Sequence, residues 1–410
     1  MKCRHCSEKL NNVFVDLGFS PISNDMLKED QLNLMESYYP LKVYVCHKCY
    51  LVQLDEFKKA EELFSSDYTY FSSFSKTWIE HTRAYVQMMI ERFHFNSDSL
   101  VVEIASNDGC LLKNFVEKEI PVLGIEPTAN TAKRAIENGV ESIVEFFSTE
   151  LAKKEFVDKE RGASLIVGNN VLAHVPDIND FVYGMKQALD SDGIITMEFP
   201  HLSNLIKDCQ FDTIYHEHFS YLSLIAVKNI FKKFDLEIFD VDEISTHGGS
   251  LRIYAKHKEC QKHKISEEVN RIIEREIKEG LTQMNFYKGF MSRVNRIKNN
   301  ALRFLIDAEN YGQSVAAYGA ASKGNTLINY CGLKGNDLIK FVVDASPYKQ
   351  NKFLPGSHIP VVDESRLKEE KPDYVIILPW NLTTEIETQL DYIKNWGGKL
   401  VTFIPELRIF

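Results

Sequence analysis

The stretch LVVEIASNDGCLL, residues 100–112, sets the fold class predicted for this 410-residue chain. It begins as a continuous apolar run, which is typical of a strand buried on both faces. A polar turn with Asn107, Asp108 and Gly109 follows, and apolar residues then resume as at the start of a helix. A strand, a turn and a helix in this order indicate a doubly wound α/β domain, whose ligand is expected at the carboxyl ends of the strands.

The segments that follow this stretch repeat the alternation of strand and helix. Further strands are predicted in VLGIEP (122–127), ESIVEFF (141–147), SLIVGNNVLAHVP (164–176) and GIITMEFP (193–200). LEIFDVDEI (236–244) and GGSLRIYAKH (248–257) are joined through a turn, and we expect them to form an antiparallel hairpin at the sheet edge. Such an edge is typical of methyltransferase sheets.

The turn after the first strand resembles motif I of class I S-adenosylmethionine-dependent methyltransferases, although Ala105, Asn107 and Gly109 replace the usual glycine-rich run. Glu126 ends the second strand about twenty residues later, where an acid binds ribose hydroxyls. The residues predicted to hold S-adenosylmethionine are Glu103, Ala105, Asn107, Asp108, Gly109, Glu126, Pro127, Phe147, Asn169 and Asn170. A nicotinamide dehydrogenase is the competing interpretation, but Asp108 would repel a pyrophosphate.

Four cysteines form two C-x-x-C pairs, Cys3 with Cys6 and Cys46 with Cys49. Two such pairs can surround one zinc ion with four thiolates, which leaves no open position for catalysis. We therefore predict a structural zinc site. His5 and His47 lie inside the pairs and are expected to point outward.

The regions on either side of the central domain have patterns of their own. DYTYFSSFSKTW (67–78) precedes a predicted helix, Lys76 to Phe93, and is a candidate lid over the cofactor site. Helical periodicity without strand signals occupies 261–310, with interruptions at Gly280 and Gly289. A second βαβ series follows, in which Lys323 lies in a strand-to-helix turn of anion-binding type that is not a Walker A loop. The chain is therefore predicted to divide into four parts: the cysteine-containing module with the lid at 1–75, the central α/β domain at 76–260, a helical connector at 261–310, and a C-terminal α/β domain at 311–410.

The segment FDTIYHEHFSY (211–221) has the residues for proton transfer. Tyr215, His216, Glu217, His218 and Tyr221 fall within seven positions. Such a cluster can take up a proton near neutral pH and stabilise an oxyanion beside it. The alternative is a polar loop that only caps a helix, which we disfavour because the cluster is dense and lies next to a cofactor fold.

Composition excludes several classes of function. The formal net charge of −10 argues against a nucleic-acid partner. No apolar run approaches the ~20 residues of a membrane span, and MKCRHCSEKL lacks the apolar core of a signal peptide. A cytoplasmic protein with reduced cysteines is expected.

In this order, the paired cysteines, YTYFSSFS, EIASNDG, NNVLAHVPD, FDTIYHEHFSY, YGAASKGNT and KFLPGSHIP resemble the sugar C-methyltransferases of deoxysugar biosynthesis over essentially the whole chain. That family makes branched sugars such as tetronitrose, mycarose and noviose. The resemblance implies an N-terminal zinc module, a central methyltransferase domain and a C-terminal Rossmann-like domain. It also implies methylation of carbon 3 of a nucleotide-linked 4-keto-6-deoxy sugar by a monomer or weak oligomer.

The same resemblance implies roles for the residues of the loop. His218 is the expected base, with Tyr215 and Glu217 positioning the sugar or its enolate, and His216 in a secondary role. Tyr70 and His174 are further expected members of the site that bind the substrate. Lys323 is expected from its anion-binding turn, and not from the resemblance, to contact the pyrophosphate of the substrate, with an ordinary surface lysine as the open alternative. An imidazole with a pKa of ~6.5 needs no tuning to act as a base, whereas a carboxylate needs burial to compete.

Two other functions stay open from the sequence. Methylation of a nitrogen or oxygen on a sugar nucleotide needs less basic help than this loop offers. A zinc-ribbon interaction protein with degenerate enzyme domains belongs to a different class, and the acidic charge and complete polar loop weigh against it.

Overall fold

The computed structural model describes residues 1–64, 71–335 and 337–410. The N-terminal region contains β1 (Asn12–Ser20), β2 (Tyr39–Val45), β3 (Val52–Leu54) and α1 (Ala60–Leu63). The central region contains α2 (Lys76–Phe93), β4 (Val101–Ile104), α3 (Leu112–Val116), β5 (Val122–Ile125), α4 (Ala129–Glu137), β6 (Ser142–Ile143), α5 (Thr149–Ala152), β7 (Ala163–Asn169), α6 (Ile178–Ala188), β8 (Leu189–Pro200), α7 (Leu202–Lys207), β9 (Ser220–Tyr221), α8 (Leu224–Lys232), β10 (Leu236–Ile244) and β11 (Ser250–His257).

The rest of the chain is helical at first and then α/β. The connecting helices are α9 (Glu267–Glu279), α10 (Met284–Tyr287) and α11 (Phe290–Asn310). The C-terminal region contains β12 (Val315–Tyr318), α12 (Ser322–Cys331), β13 (Val342–Val343), β14 (Lys352–Phe353), β15 (Pro360–Val362), α13 (Ser365–Glu370), β16 (Tyr374–Ile377), α14 (Thr383–Gln389), β17 (Lys399–Thr402) and β18 (Arg408–Ile409).

The central sheet has the order β10-β11-β8-β7-β4-β5-β6. The pairs from β8 to β6 are parallel, whereas β11 runs antiparallel to both β8 and β10. This arrangement confirms the predicted doubly wound domain and its antiparallel edge. The apolar strand β4 lies between β7 and β5 and is buried along its whole length. The turn that follows β4 lies at the carboxyl edge of the parallel strands.

The N-terminal sheet has the order β1-β2-β3-β9. Its fourth strand, β9, belongs by sequence to the central region and is the end of the FDTIYHEHFSY segment. Val52 pairs with Tyr221 and Gln53 with Ser220 across this junction. The His-rich loop is therefore attached by backbone pairing to β3, the strand that follows the second cysteine pair.

The third sheet has the order β14-β15-β13-β12-β16-β17-β18, with antiparallel strands only at its two edges. The helical stretch before it breaks at Gly280 and Gly289, both of which have a φ near +100° that favours glycine. Phe290 of α11 stacks on Phe14 of β1 with 4.4 Å between ring centroids. α11 therefore contributes to a core that also contains residues of the N-terminal and C-terminal sheets.

None of the helices in the described ranges combines the length and apolarity required to cross a membrane.

Candidate active site

The four paired cysteines converge on one point. Their Sγ atoms all lie within 4.8 Å of one another, and Cys3 lies 3.5 Å from Cys49, as does Cys6 from Cys46. Four sulfurs at ~2.3 Å from a tetrahedral zinc ion lie about 3.8 Å apart, so the cluster matches the size of a Cys₄ zinc site. Cys3, Cys46 and Cys49 are buried, as a structural site requires.

The cysteine cluster is connected to the His-rich loop through Arg4 and Gln53. The buried Gln53 amide donates to Cys3 Sγ at 3.2 Å, and its oxygen accepts from the Arg4 amide at 2.9 Å. The Arg4 guanidinium lies over the ring of Phe219, 5.3 Å from its centroid. His5 differs from expectation, since it is buried and its Nδ1 lies 2.9 Å from the Asn179 side-chain oxygen.

The turn after β4 has the conformation needed for close approach of a ligand to backbone. Ala105, Asn107 and Gly109 all have positive φ values, of 59°, 49° and 74°. A Cβ at Gly109 would lie 3.0–3.1 Å from side-chain atoms of Val140 and Ala135, so this position also favours a small residue. The turn replaces the usual glycine-rich run with two non-glycine residues in the left-handed region.

Glu126 connects this turn to the next strand. Its Oε2 accepts from the Asn107 amide at 2.8 Å, and its Oε1 accepts from the amide and hydroxyl of Thr128. Burial raises the pKa of Glu126, while the hydrogen bonds from Thr128 and Asn107 lower it. A carboxylate has about four lone-pair sites, so ribose hydroxyls can bind it in addition. Pro127 follows directly and is half-buried.

Several buried polar atoms at this edge have no hydrogen-bond partner within the described part of the chain. They are Glu103 Oε2, Asp108 Oδ1, both side-chain amide atoms of Asn169, and Asn170 Oδ1. Burial, with the charges of Asp108 and Glu126, raises the pKa of Glu103 well above its usual value. Unpaired buried groups imply a polar ligand, and an acidic set suits the ammonium, sulfonium and ribose hydroxyls of S-adenosylmethionine.

Phe147 and the candidate lid complete the predicted cofactor set. The ring of Phe147 packs edge-on against Phe181 in the domain core, with 5.4 Å between centroids. The amide of Ser72 donates to Asn107 Oδ1 at 2.9 Å and that of Ser73 to Asp108 Oδ2 at 3.2 Å, so the end of the lid segment touches the cofactor turn. Tyr70 lies outside the described residues, as does Tyr68.

His218 has a defined tautomer. Its Nδ1 lies 2.7 Å from the carbonyl oxygen of Thr213, and its Nε2 lies 2.8 Å from the hydroxyl of Tyr215. The carbonyl can only accept, so Nδ1 has the proton and Nε2 has the lone pair. The Tyr215 hydroxyl then donates to Nε2.

The surroundings of His218 disfavour the imidazolium form. Burial lowers the pKa of His218 well below its ordinary value, and the charges of His174 and Lys323 act in the same direction. The ring of His174 lies 4.6 Å from that of His218, and burial lowers the pKa of His174 to about 4. The expectation that His218 needs no tuning is therefore corrected, because the fold keeps it neutral and makes it a weaker base.

Glu217 is shifted in the opposite direction. Its side chain is buried and accepts from Asn24 Nδ2, which lies 3.1 Å from both carboxylate oxygens. Burial raises the pKa of Glu217 to about 7, although Asn24 and Lys349 lower it. The burial that a carboxylate needs to compete as a base is thus present.

His216 turns toward the N-terminal sheet. Its Nε2 lies 3.3 Å from the carbonyl oxygen of Pro40, and its ring packs edge-on against Tyr39 and Phe57. Burial lowers the pKa of His216 to about 4. These contacts join the loop to the zinc-binding region and do not involve His218.

Lys323 lies at the first turn of α12, as predicted for a strand-to-helix turn. Its Nζ donates to Asn381 Oδ1 at 2.9 Å and lies 4.9 Å from the centroid of the Trp380 ring. Burial lowers the pKa of Lys323, whereas the charge of Asp212 raises it.

The sequence analysis missed two residues of this region, His247 and Asp212. His247 Nε2 lies 3.0 Å from the amide nitrogen of Asn170, and burial lowers the pKa of His247 to about 4. Asp212, the second residue of the 211–221 segment, is buried and accepts a hydrogen bond from Trp380. The position of His247 next to Gly248-Gly249 in the hairpin turn was a usable signal, but the partner of Asp212 lies 168 residues away.

Family models match three parts of the chain. A zinc binding domain covers residues 3–64, a methyltransferase domain covers 78–241, and a C-methyltransferase C-terminal domain covers 245–405. Two solved structures show low similarity. Magnesium protoporphyrin IX methyltransferase from Synechocystis is 13% identical, covers 43% of this chain and 78% of its own, and has a TM-score of 0.33. The PH0226 protein from Pyrococcus horikoshii is 14% identical, covers 46% and 95%, and has a TM-score of 0.39.

A full-length relative decides the assignment. C-methyltransferase NovU from Streptomyces niveus is 33% identical over 409 residues, which is 100% of this chain and 96% of the relative. The cysteine cluster and the acidic cofactor edge described above agree with the matched domains. The chain belongs to the family of S-adenosylmethionine-dependent C-methyltransferases with an N-terminal zinc-binding domain.

Proposed function

We propose that the protein methylates carbon 3 of a nucleotide-linked 4-keto-6-deoxy sugar through an enolate, with His218 as the base. A carbon atom has no lone pair, so a proton must leave it before a methyl group can be accepted. The ketone next to carbon 3 makes that proton acidic and receives the negative charge. The resemblance to sugar C-methyltransferases names this substrate class, and the protonation states in the loop support the chemistry.

The fixed tautomer of His218 is the observation that supports this proposal most directly. With Nδ1–H held by the Thr213 carbonyl, Nε2 offers its lone pair on the side of Tyr215. The ring of His218 packs against that of His174. His174 is only four residues after Asn170, which lies at the cofactor edge. Glu217 instead contacts Asn24 of the N-terminal region. These contacts support the proposal that His218, and not Glu217, lies on the side of the loop that faces the methyl donor.

Tyr215 has a second task in this mechanism. Its hydroxyl donates to His218 Nε2 when no substrate proton competes for that lone pair. When Nε2 takes the carbon-bound proton, the Tyr215 hydroxyl is released and can donate to the developing enolate oxygen. Stabilising an oxyanion with a preorganised donor lowers the barrier more than binding the ketone does.

When bound, S-adenosylmethionine supplies the electrophilic methyl group. Glu103, Asp108 and Glu126 hold its cationic and ribose parts in this proposal, and Asn169 and Asn170 bind it with their unpaired amide atoms. In this proposal the zinc site has the structural role of holding the loop in place, because its four thiolates leave no coordination position for a substrate.

The nucleotide part is proposed to lie between the central and C-terminal regions. The first amides of α12 follow the strand-to-helix turn predicted to bind an anion and suit a diphosphate, as the N-terminus of a helix does. Thr326 of the same helix donates to the carbonyl of Ile214 at 3.0 Å, so α12 is in direct contact with the catalytic loop. His174 and Lys323 then remain proposed contacts of the substrate.

The reaction is proposed to occur in the cytoplasm. All eight cysteines of the chain are free thiols in the structure, and the cluster of four needs a reducing compartment to bind a metal.

Labelled S-adenosylmethionine and a panel of nucleotide sugars test this function. With nucleotide 4-keto-6-deoxy sugars we expect a product with one added methyl group, attached to carbon 3 in the NMR spectrum. Matched sugars reduced at carbon 4 should not react, because they cannot form the enolate. A methyl group on nitrogen or oxygen, or turnover of the reduced sugars, would contradict the proposal.

A further inference from the structure

Asp212 has an unpaired carboxylate oxygen in a fully buried position next to the catalytic loop. Its exposed fraction is 0%, and it lies in the 3-10 turn Phe211–Thr213, three residues before Tyr215. Trp380 Nε1 donates to Oδ2 at 2.8 Å. Oδ1 has no hydrogen-bond partner among residues 1–64, 71–335 and 337–410. A buried carboxylate oxygen without a partner is costly, which indicates that a ligand group completes it.

Lys323 brings the opposite charge to the same neighbour, Trp380. Trp380 contacts both groups, with its N–H on the Asp212 carboxylate and its ring face toward the Lys323 ammonium. No ion pair within 4.0 Å joins Asp212 to Lys323 in the described ranges, although each shifts the pKa of the other. The ammonium has three hydrogens, of which one is donated to Asn381. An acceptor and a donor thus contact the same indole, with no direct ion pair between them.

Two contacts hold Trp380 and the neighbouring hairpin turn in place. A Cβ at Gly248 would lie 2.4 Å from the Trp380 ring, so the hairpin turn packs directly on the indole. Gln210 Nε2 donates to the Gly248 carbonyl at 2.9 Å, which ties the same turn to the start of the loop. The Trp380 side chain therefore cannot move toward Gly248 to bring Lys323 closer to Asp212.

Asp212 and Lys323 lie on the elements that carry the proposed chemistry. Asp212 is three residues before Tyr215, and α12, which includes Lys323, contacts the loop through the Thr326 hydroxyl, which donates to the Ile214 carbonyl at 3.0 Å. Burial lowers the pKa values of His218 and His247, and the Lys323 charge acts in the same direction. Burial raises the pKa of Asp212 to about 6, and the Lys323 charge, the Trp380 N–H and the backbone amides of Asp212 and Thr213 act against that rise. Asp212 is thus mostly ionised at neutral pH and can only accept hydrogen bonds.

We propose that Asp212 and Lys323 together bind one hydroxyl group of the sugar ring, with Asp212 Oδ1 accepting its proton and Lys323 Nζ donating to its oxygen. A hydroxyl is the group that donates and accepts at once. A phosphate oxygen would meet the Asp212 charge, so the Lys323 side chain recognises sugar and not diphosphate. This inference rests on the proposed sugar-nucleotide substrate and makes the pair a specificity determinant.

The test combines variants with substrate analogues. Asp212→Asn keeps an acceptor for Trp380 but loses the charge, and Lys323→Met keeps the stem but loses the ammonium. Each should raise the KM for the nucleotide sugar roughly tenfold or more, with the KM for S-adenosylmethionine unchanged. Nucleotide sugars that lack one ring hydroxyl each are then compared. One of these analogues should lack the hydroxyl that Asp212 and Lys323 bind. For that analogue, the KM of the wild type should rise by the same factor as the KM of Asp212→Asn rises with the complete sugar. The KM of Asp212→Asn should not rise further when that hydroxyl is removed.

Trp380→Phe is the matched control for a structural role, since it keeps the ring face and removes only the bond to Oδ2. If Asp212 only holds Trp380 at the interface, Asp212→Asn, which keeps that acceptor, will leave the KM for the nucleotide sugar unchanged, or its defect will be reproduced by Trp380→Phe and will persist with every deoxy analogue. Either result would overturn the inference. Melting temperature and S-adenosylmethionine binding report whether each variant is folded. A wild-type protein inactive on all nucleotide keto-sugars would instead overturn the proposed function itself.

Discussion

The hydroxyl of Tyr215 lies 2.8 Å from Nε2 of His218, and the two rings lie 4.0 Å apart between centroids. This contact joins positions i and i+3 of one loop, and the Thr213 carbonyl holds the opposite side of the imidazole. The pair is therefore a phenol that donates to a neutral imidazole. In the proposed mechanism, removal of a substrate proton by Nε2 breaks this bond and frees the Tyr215 hydroxyl for the enolate oxygen.

Replacing His218 with Asn should remove the base while retaining a similar shape. We expect kcat to fall by ~10²-fold or more, with both ligands still bound. Exchange of the sugar carbon proton with solvent deuterium, measured by NMR without the methyl donor, should fall with it. His94→Asn is the matched control, because His94 is exposed at the end of α2 with a φ of 60° that Asn tolerates.

The competing base is Glu217, and the same assays distinguish the two. Near-normal turnover and exchange in His218→Asn, combined with an inactive Glu217→Gln, would transfer the role to the carboxylate. A pH–rate profile adds a second criterion. The pKa of His218 is well below its ordinary value, so kcat/KM should be flat between pH 6 and 8 if His218 is the base. A rise centred near pH 7 that Glu217→Gln abolishes would contradict this assignment.

Glu217 should also make stability depend on pH. Its pKa rises from 4.5 when unfolded to about 7 when folded, chiefly through burial, so the folded state retains a proton that the unfolded state has lost between these values. Stability is thus highest below pH 4.5 for this group and is lost as the pH rises through 7, by up to ~3 kcal/mol. Glu217→Gln should therefore raise the melting temperature at pH 8 and have little effect at pH 5. An equal effect at both values would show that burial of the charge is not the cause.

Replacing Cys46 with Ser should affect both metal content and the catalytic loop. Metal analysis of the wild type should give about one zinc per chain, and the variant should lose it. β9 pairs with β3, which begins three residues after Cys49, so we also expect weaker methyl transfer and a lower melting temperature. Cys209→Ser is the control, since this buried cysteine lies outside the cluster. Full zinc content in Cys46→Ser would refute the ligand assignment.

Glu126 should be required for binding of the methyl donor. Glu126→Ala removes the acceptor for ribose and for the Asn107 amide, so we expect S-adenosylmethionine to bind ~10- to 100-fold more weakly by calorimetry. Glu137→Ala is the matched control, because Glu137 is an exposed acid of the adjacent helix α4, 3.5 Å from Arg134. Unchanged affinity in a folded Glu126→Ala would exclude Glu126 from the cofactor site.

The sequence by itself determined the repeated local patterns of this protein. The apolar runs and polar turns specified the doubly wound sheet, because each strand and its turn are encoded within a dozen residues. The helix predicted at Lys76 to Phe93 is the helix observed, with Ser75 accepting from the Trp78 amide at its start. The spacing of the cysteines was sufficient to predict their convergence, since two C-x-x-C pairs have few ways to share one ion.

Only the tertiary structure decided which side chains of the loop act together. His216, Glu217 and His218 are consecutive, yet they contact Pro40, Asn24 and Tyr215 respectively. Burial in these separate contacts raises the pKa of Glu217 and lowers that of His218, which reverses the order expected from their ordinary values. Desolvation depends on residues that are distant in sequence, so no local pattern specifies it. The pairing of β9 with β3 and of Asp212 with Trp380 arises in the same way, from packing between regions that the chain brings together only when it folds.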